Sequence, residues 1–246
     1  MKEALLPKPL LTIDARNEVF ICQEESQFYA QCLESMVFKY CDATDTVVEF
    51  GAGDGGPVIS ALLKNDFNGI IHGFELNYPS YELARSNIKK YHLEDRYVVH
   101  NRCFFNDLRL EANYLIANPP YLPAPDNNLY IPSLHGGTDG ADITKRLLSL
   151  GYQNVMLMIS AYSNPIEVVN YAADRGYKLV DFMLSPLRFG YYSCEPKVRA
   201  AIAELRRRNQ AFYSENIYFL SGVLFRKDSE SDLDLSEEFI KVMTIL

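Results

Sequence analysis

Residues 118–121 read Asn118-Pro119-Pro120-Tyr121 and follow a short apolar run, Tyr114 to Ala117. Consecutive prolines fix the backbone and remove two amide donors. The residue ahead of a proline is pushed out of the helical region. The strand therefore stops abruptly in a rigid turn rich in acceptors, the Asn118 side chain among them. Such a turn suits a planar –NH₂ group, whose nitrogen is a poor nucleophile because its lone pair is delocalised. Acceptors that hold both hydrogens aim the lone pair at an electrophile, and placement alone supplies much of the rate. A flat ring such as Tyr121 can lie against a planar substrate group.

A second group of residues lies upstream. Thr46 to Phe50 is a buried-strand run that leads into Gly51-Ala52-Gly53-Asp54-Gly55-Gly56 and then a helix-like stretch. Strand, glycine turn and helix place a nucleotide-like ligand at a helix N-terminus. Gly51, Gly53 and Gly56 satisfy the dinucleotide pattern G-x-G-x-x-G. Gly51, Gly53 and Gly55, with Glu49 two residues before the first, satisfy the G-x-G-x-G of S-adenosylmethionine enzymes. The glycines alone do not decide between them. Both patterns want an acidic residue at the end of the next strand, and Glu75 stands there, with Leu76 after it. A carboxylate so placed can accept from both ribose hydroxyls.

The glycine turn, Glu75 and Asn-Pro-Pro-Tyr after the fourth strand together resemble the S-adenosylmethionine-dependent amino-methyltransferases. These include adenine-N6 methyltransferases and the protein-glutamine-N5 methyltransferases that modify peptide-chain release factors. The stretch from Pro132 to Asp142 is similar to the Gly-Gly-x-Asp-Gly segment of the release-factor enzymes, and Val19 to Gln27 occupies the place of their leading segment. The resemblance covers roughly residues 17–226. It implies S-adenosyl-L-methionine as cofactor, held by Glu49, Gly51, Gly53, Gly55, Glu75, Leu76, Cys103, Phe104 and Asn118. It implies that Asn118, Pro119, Pro120 and Tyr121 form the catalytic loop, with the Asn118 side chain and the Pro119 carbonyl each accepting a hydrogen of the –NH₂. No strong general base is evident, and none is required if the proton leaves after transfer.

The chain departs from the pattern at three places. The family's acidic residue near the adenine end of the cofactor is Cys103 here, followed by Phe104; Asn106 or Asp107 are the nearby groups that could compensate. Ile131 stands where the family has a glutamate before the proline of the glycine segment. The stretch ahead of the first strand is short beside the helical N-terminal domain of the bacterial enzymes.

The elements that must position these residues alternate. Helix is expected over 24–40, then strands near 46–50, 70–75, 97–101, 114–117, 154–160, 178–184 and 217–226, with helices between them near 57–64, 79–91, 142–150, 165–175 and 196–210. Alternation predicts an α/β fold, a Rossmann-like seven-stranded, mostly parallel sheet with helices on both faces and the last two strands paired as a hairpin. Residues 1–43 are read as an N-terminal helical segment and 44–246 as the methyltransferase domain. The proline-rich opening of 122–141 predicts a lid that orders when substrate binds.

Composition excludes several classes. A chain of 246 residues fits one α/β domain. Apolar runs are strand-length, so no membrane span is expected. Five cysteines without C-x-x-C spacing suit reduced thiols in the cytoplasm, and the four histidines lack metal-ligand spacing. The formal charge of −8 weighs against extended nucleic-acid binding. Arg206-Arg207-Arg208 reads as a solvated helix end and the acidic stretch 228–238 as a solvated segment before a last short helix. Three functions stay open: methylation of a protein glutamine such as that of a release factor, methylation of adenine in RNA or DNA, and a non-enzymatic cofactor-binding partner subunit.

Overall fold

The structure, a computed structural model, describes residues 19–20, 22–106, 110–227 and 233–246. Asp107, Ile21 and the first half of the acidic stretch lie outside the described residues. A seven-stranded sheet runs in the order β3-β2-β1-β4-β5-β7-β6. Its strands are β1 (Thr46–Phe50), β2 (Ile70–Phe74), β3 (Tyr97–His100), β4 (Tyr114–Ala117), β5 (Asn154–Ser160), β6 (Tyr177–Arg188) and β7 (Ile217–Lys227). The first five pair in parallel, and β7 is inserted antiparallel between β5 and β6. The order reverses between β1 and β4, which is where ligands of open α/β sheets sit.

Both faces of the sheet are covered, and the strand sequences show why. Along β1, Val47 joins one core and Val48 the other. Along β5, Met156 and Met158 face the first, and Val155, Leu157 and Ile159 the second. Side chains alternate across a strand, so a strand buried on both faces must be apolar throughout. All four residues of β4 are buried. The first face is covered by α1 (Gln23–Cys32), α2 (Gly56–Leu62), α3 (Tyr78–Lys90) and α6 (Pro196–Arg207); the second by α4 (Asp142–Leu148), α5 (Pro165–Ala173) and α7 (Ser236–Met243).

Three elements differ from the expectation. The single helix expected over 24–40 is α-helical only to Cys32 and continues as a wider π-helical segment, Leu33–Phe38, whose Leu33, Met36 and Val37 are fully buried. The strand β6 runs four residues past its expected end and passes through Pro186. An edge strand tolerates a proline because one side of its backbone needs no partner. The stretch 122–141 is already fastened rather than loose. Leu122 bridges to His135, and the His135 ring meets the Ala124 carbonyl oxygen at 2.9 Å. The Tyr130 amide donates to Glu195 at 2.9 Å, and Lys197 donates to Asp126 at 2.6 Å. Its apolar residues Leu122, Ala124, Leu129 and Ile131 are buried, which pulls a proline-rich segment onto the domain.

Candidate active site

Glu49, at the end of β1, is 1% exposed. The hydroxyl of Tyr29 on α1 donates to its Oε1 at 3.4 Å, and Tyr97 at the start of β3 donates to its Oε2. Burial raises the Glu49 carboxyl to about 7 despite these hydrogen bonds, and the charges of Glu75 and Asp54 push the same way. Glu49 is thus a buried acid braced by two tyrosines.

The chain after Glu49 turns through three residues of positive φ: Gly51 at 71°, Gly53 at 57° and Gly55 at 72°. L side chains rarely adopt this backbone. A Cβ at Gly51 or Gly53 would meet nothing within 4 Å, so the space beside them is open to a ligand. At Gly55 the reason is different, because a Cβ would press on the Tyr97 ring at 3.3 Å.

Glu75 follows β2, and backbone amides fix its carboxylate. Gly53 donates to Oε2 at 2.8 Å and Asn77 to Oε1 at 2.7 Å. Burial raises this acid, and the amides hold it down in part. Each oxygen keeps a further lone pair, which is what a pair of ribose hydroxyls would need. Leu76 is 71% exposed and borders the same cavity.

Cys103 and Phe104 lie beyond β3. Phe104 sits edge-on to Phe50 at 5.7 Å and to Phe74 at 5.1 Å, with Phe105 against Phe50 at 5.3 Å. These rings form an aromatic wall suited to a purine face. Asn106 closes the short turn by donating its amide to the Cys103 carbonyl at 3.2 Å, and its side chain is exposed.

The Asn118-Pro119-Pro120-Tyr121 loop leaves β4 on the other side of the switch point. Asn118 Oδ1 is buried and has no hydrogen-bond partner among the described residues. A buried acceptor without a partner is costly and calls for an explanation. The rest of the loop is held from below by the glycine segment. Ser163 donates its hydroxyl to the Tyr121 carbonyl at 2.7 Å, and the Gly136 amide donates to the Leu122 carbonyl at 2.9 Å. A Cβ at Gly136 would stand 2.7 Å from Tyr121 Cα and 2.8 Å from the Pro120 carbonyl oxygen; one at Gly140 would stand 2.5 Å from the Tyr121 carbonyl oxygen. Asp139 locks the segment by accepting from Ala141 at 3.0 Å and from Asn164 at 2.8 Å. The Gly-Gly-x-Asp-Gly stretch is therefore a buttress packed against the loop, and only glycine fits the contact.

One cavity of about 1060 Å³ borders all of these residues: Glu49, Gly51, Gly53, Glu75, Leu76, Cys103, Phe104 and the whole 118–121 loop. Gly55 stands apart, turned into the packing against Tyr97. Ligand sites commonly enclose roughly 300–1,000 Å³, so the space is ample for a nucleoside-sized group and a second ligand. Sequence reasoning missed Glu25, Tyr29 and Tyr97. Glu25 is buried on α1, where Asn118 and the Tyr121 hydroxyl act on it as hydrogen-bonding neighbours. The available signal was the spacing of Glu25 and Tyr29, four apart and so on one face of a helix.

The fold and cavity define a class: a Rossmann-like methyltransferase fold with its ligand cavity at the switch point. Solved structures share it. A candidate RNA methyltransferase from Pyrococcus horikoshii superposes with a TM-score of 0.56 at 12% identity, covering 89% of this chain and 92% of that one. Magnesium protoporphyrin IX methyltransferase from Synechocystis PCC 6803, solved with bound SAM, gives 0.53 at 9%, covering 83% and 80%. The [4+2]-cyclase SpnF also gives 0.53, at 11% identity, covering 83% and 81%. One fold thus carries different chemistries, and these likenesses speak to fold alone.

Sequence relatives are narrower. The chain is 32% identical over 116 residues to the release factor glutamine methyltransferase of Mycoplasma mycoides subsp. mycoides SC, covering 46% of this chain and 40% of the relative. It is 28% identical over 117 residues to the enzyme of the same name from Thermosynechococcus vestitus, covering 41% and 38%. The matches span well under half the length of these relatives. No protein-family profile matches the chain.

Proposed function

We propose that this protein is an S-adenosylmethionine-dependent N-methyltransferase whose acceptor is a planar amide nitrogen, the glutamine side chain of a protein such as a peptide-chain release factor. The observation that carries the reading is the buried Oδ1 of Asn118, without a partner among the described residues, in a residue that borders the same cavity as the glycine turn and Glu75. An acceptor left unpaired inside a protein is explained by a ligand that supplies the hydrogen. The sequence likeness to two release factor glutamine methyltransferases supports the glutamine in particular.

The residues present fit the methyl donor. Gly51 and Gly53 leave room where side chains would stand, Glu75 offers oxygens already oriented by two amides, and Phe104 supplies an aromatic wall. The carboxylates of Glu49, Glu75 and Asp54 surround the glycine turn and suit a cationic ligand. When bound, the donor supplies an electrophilic methyl group. The acceptor nitrogen is held by Asn118 Oδ1 and the Pro119 carbonyl, with Tyr121 as a wall. As the nitrogen gains positive charge, these fixed acceptors stabilise it without reorganising.

Calorimetric titration with S-adenosylmethionine, with NAD as control, tests the cofactor. Micromolar binding, on the order of −8 kcal/mol, is expected for the methyl donor alone. Transfer of labelled methyl to a release factor then tests the acceptor.

One observation favours a second reading, an adenine base as acceptor. Tyr130 and Tyr191 stack at 5.2 Å and are both exposed, and Tyr191 borders the cavity. Exposed aromatic platforms hold single-stranded bases. Methylation of an oligonucleotide that falls steeply with salt would favour this reading; methylation of the release factor alone would exclude it.

A further inference from the structure

Five acidic residues border the cavity; Glu24 is exposed, and three of the other four are already engaged. Glu49 accepts from Tyr29 and Tyr97, Glu75 from two backbone amides, and Asp54 Oδ1 from the Gly56 amide at 2.9 Å. The fourth is Glu25. It is buried, and its Oε2 has no hydrogen-bond partner among the described residues. It also borders the cavity at the end where Asn118 and Tyr121 stand.

The surroundings support a carboxylate there only by hydrogen bonding from Tyr121, Asn118 and Cys22. The titratable groups that act with Glu25 are Cys22 and Glu24 on its own segment, Tyr121 on the catalytic loop, Tyr162 after β5 and Tyr218 on β7. All of these are neutral or acidic. Burial raises Glu25, and hydrogen bonding by Tyr121 and Asn118 offsets this only in part. A buried acid facing neutral or acidic neighbours is expensive. Such groups mark functional sites when they also line a cleft. What would balance the charge is positive charge on a ligand, and the reaction proposed above creates it on the acceptor nitrogen.

We propose that Glu25 is the proton acceptor of this site: its Oε2 takes the proton that the acceptor nitrogen sheds on methylation, and the same carboxylate aims the Asn118 side chain. This rests on the methyl-transfer reading above. The nitrogen lone pair forms the new N–CH₃ bond while the S–CH₃ bond breaks and leaves its electrons on sulfur. The N–H electrons return to nitrogen as the hydrogen held at Asn118 Oδ1 leaves as a proton and passes on to the neighbouring Glu25 Oε2. The proton then leaves to water through the cavity mouth with product. The helix α1 makes this possible, because Glu25 and Tyr29 lie one turn apart and face the acceptor loop and Glu49 respectively.

Glu25→Gln tests the proposal, since glutamine keeps the shape and cannot take the proton. Turnover on a release factor should fall about 100-fold or more, the usual worth of a general base, while calorimetric S-adenosylmethionine affinity stays as in wild type. Wild-type kcat should fall toward acid pH as Glu25 protonates, and that limb should vanish in Glu25→Gln. Glu25→Asp should recover part of the loss. A second readout needs no acceptor. In protein labelled with ¹⁵N-asparagine, the Asn118 side-chain amide should move with pH in wild type and stand still in Glu25→Gln. Wild-type kcat with an unchanged acid limb in Glu25→Gln would overturn the proposal, as would an Asn118 amide that titrates alike in both proteins. If the wild type binds no S-adenosylmethionine, the methyl-transfer reading fails instead. If it binds donor but methylates no release factor, the amide titration alone decides whether Glu25 titrates against Asn118.

Discussion

Above pH 8, Glu49 carries a charge that the fold would be more stable without. Its carboxyl is raised from an ordinary 4.5 to about 7 by burial between Tyr29 and Tyr97. A shift of about 2.5 units at 1.36 kcal/mol each penalises the ionised form by roughly 3 kcal/mol. The group's folded value lies above its unfolded one. Its favourable contribution is therefore fully present below about pH 4.5 and is lost as pH rises through about 7. Glu49→Gln removes the titration while keeping an oxygen that can accept from Tyr97. Wild type and variant should have similar stability near pH 4.5. By pH 9 the variant should be ahead by up to roughly 3 kcal/mol, about 6–12 °C in Tm for a domain of this size. Urea unfolding at both ends of the range measures the difference directly. Parallel pH–stability curves would refute the argument, because they would mean that Glu49 ionises in the folded protein as it does in the unfolded chain.

Three further outcomes are expected. Asn118→Ala should leave S-adenosylmethionine affinity near wild type and lower kcat about 100-fold or more, as loss of one pre-aimed polar group does; a variant that lost only donor affinity would contradict the role. Glu75→Ala strands the Gly53 and Asn77 amides and removes two acceptors. It should weaken donor binding about 10- to 100-fold by calorimetry, the worth of one or two charged hydrogen bonds. Gly136→Ala drives a methyl group against the Tyr121 and Pro120 backbone. It should cost about 1–3 kcal/mol in urea unfolding, and unchanged stability would refute the buttress.

Much of the fold was legible because its signals are local. The strand β4 reads Tyr-Leu-Ile-Ala and is buried throughout, as a doubly covered parallel strand must be. The glycine turn, Glu75 and the 118–121 loop could be placed at strand ends from spacing alone, and the structure brings them to one cavity. What sequence could not supply depends on contacts between distant segments. Tyr97 lies 48 positions from Glu49, and no periodicity links them. The fastening of 122–141 rests on Glu195 and Lys197, from another element altogether. The π-helical continuation of α1 is invisible in residue type, because Leu33, Met36 and Val37 would suit an α-helix equally well.

The first helix is what joins the two halves of the site. The strands β1 and β4 pair side by side at the switch point, but the glycine turn after β1 and the 118–121 loop after β4 are far apart in sequence and diverge beyond the strand ends. The helix α1 bridges them by side-chain contacts. Tyr29 reaches Glu49 under the glycine turn, and Glu25, a turn earlier, stands with Asn118 and Tyr121. A displacement of α1 would therefore disturb both ends at once, leaving Glu49 short of one phenol and Asn118 without its neighbour. If Glu25 acts as proposed, this gives the segment before the first strand a physical role in the chemistry itself. It also gives a reason for keeping two costly buried carboxylates, Glu25 on α1 and Glu49 on β1 beside it, rather than replacing either with an apolar residue.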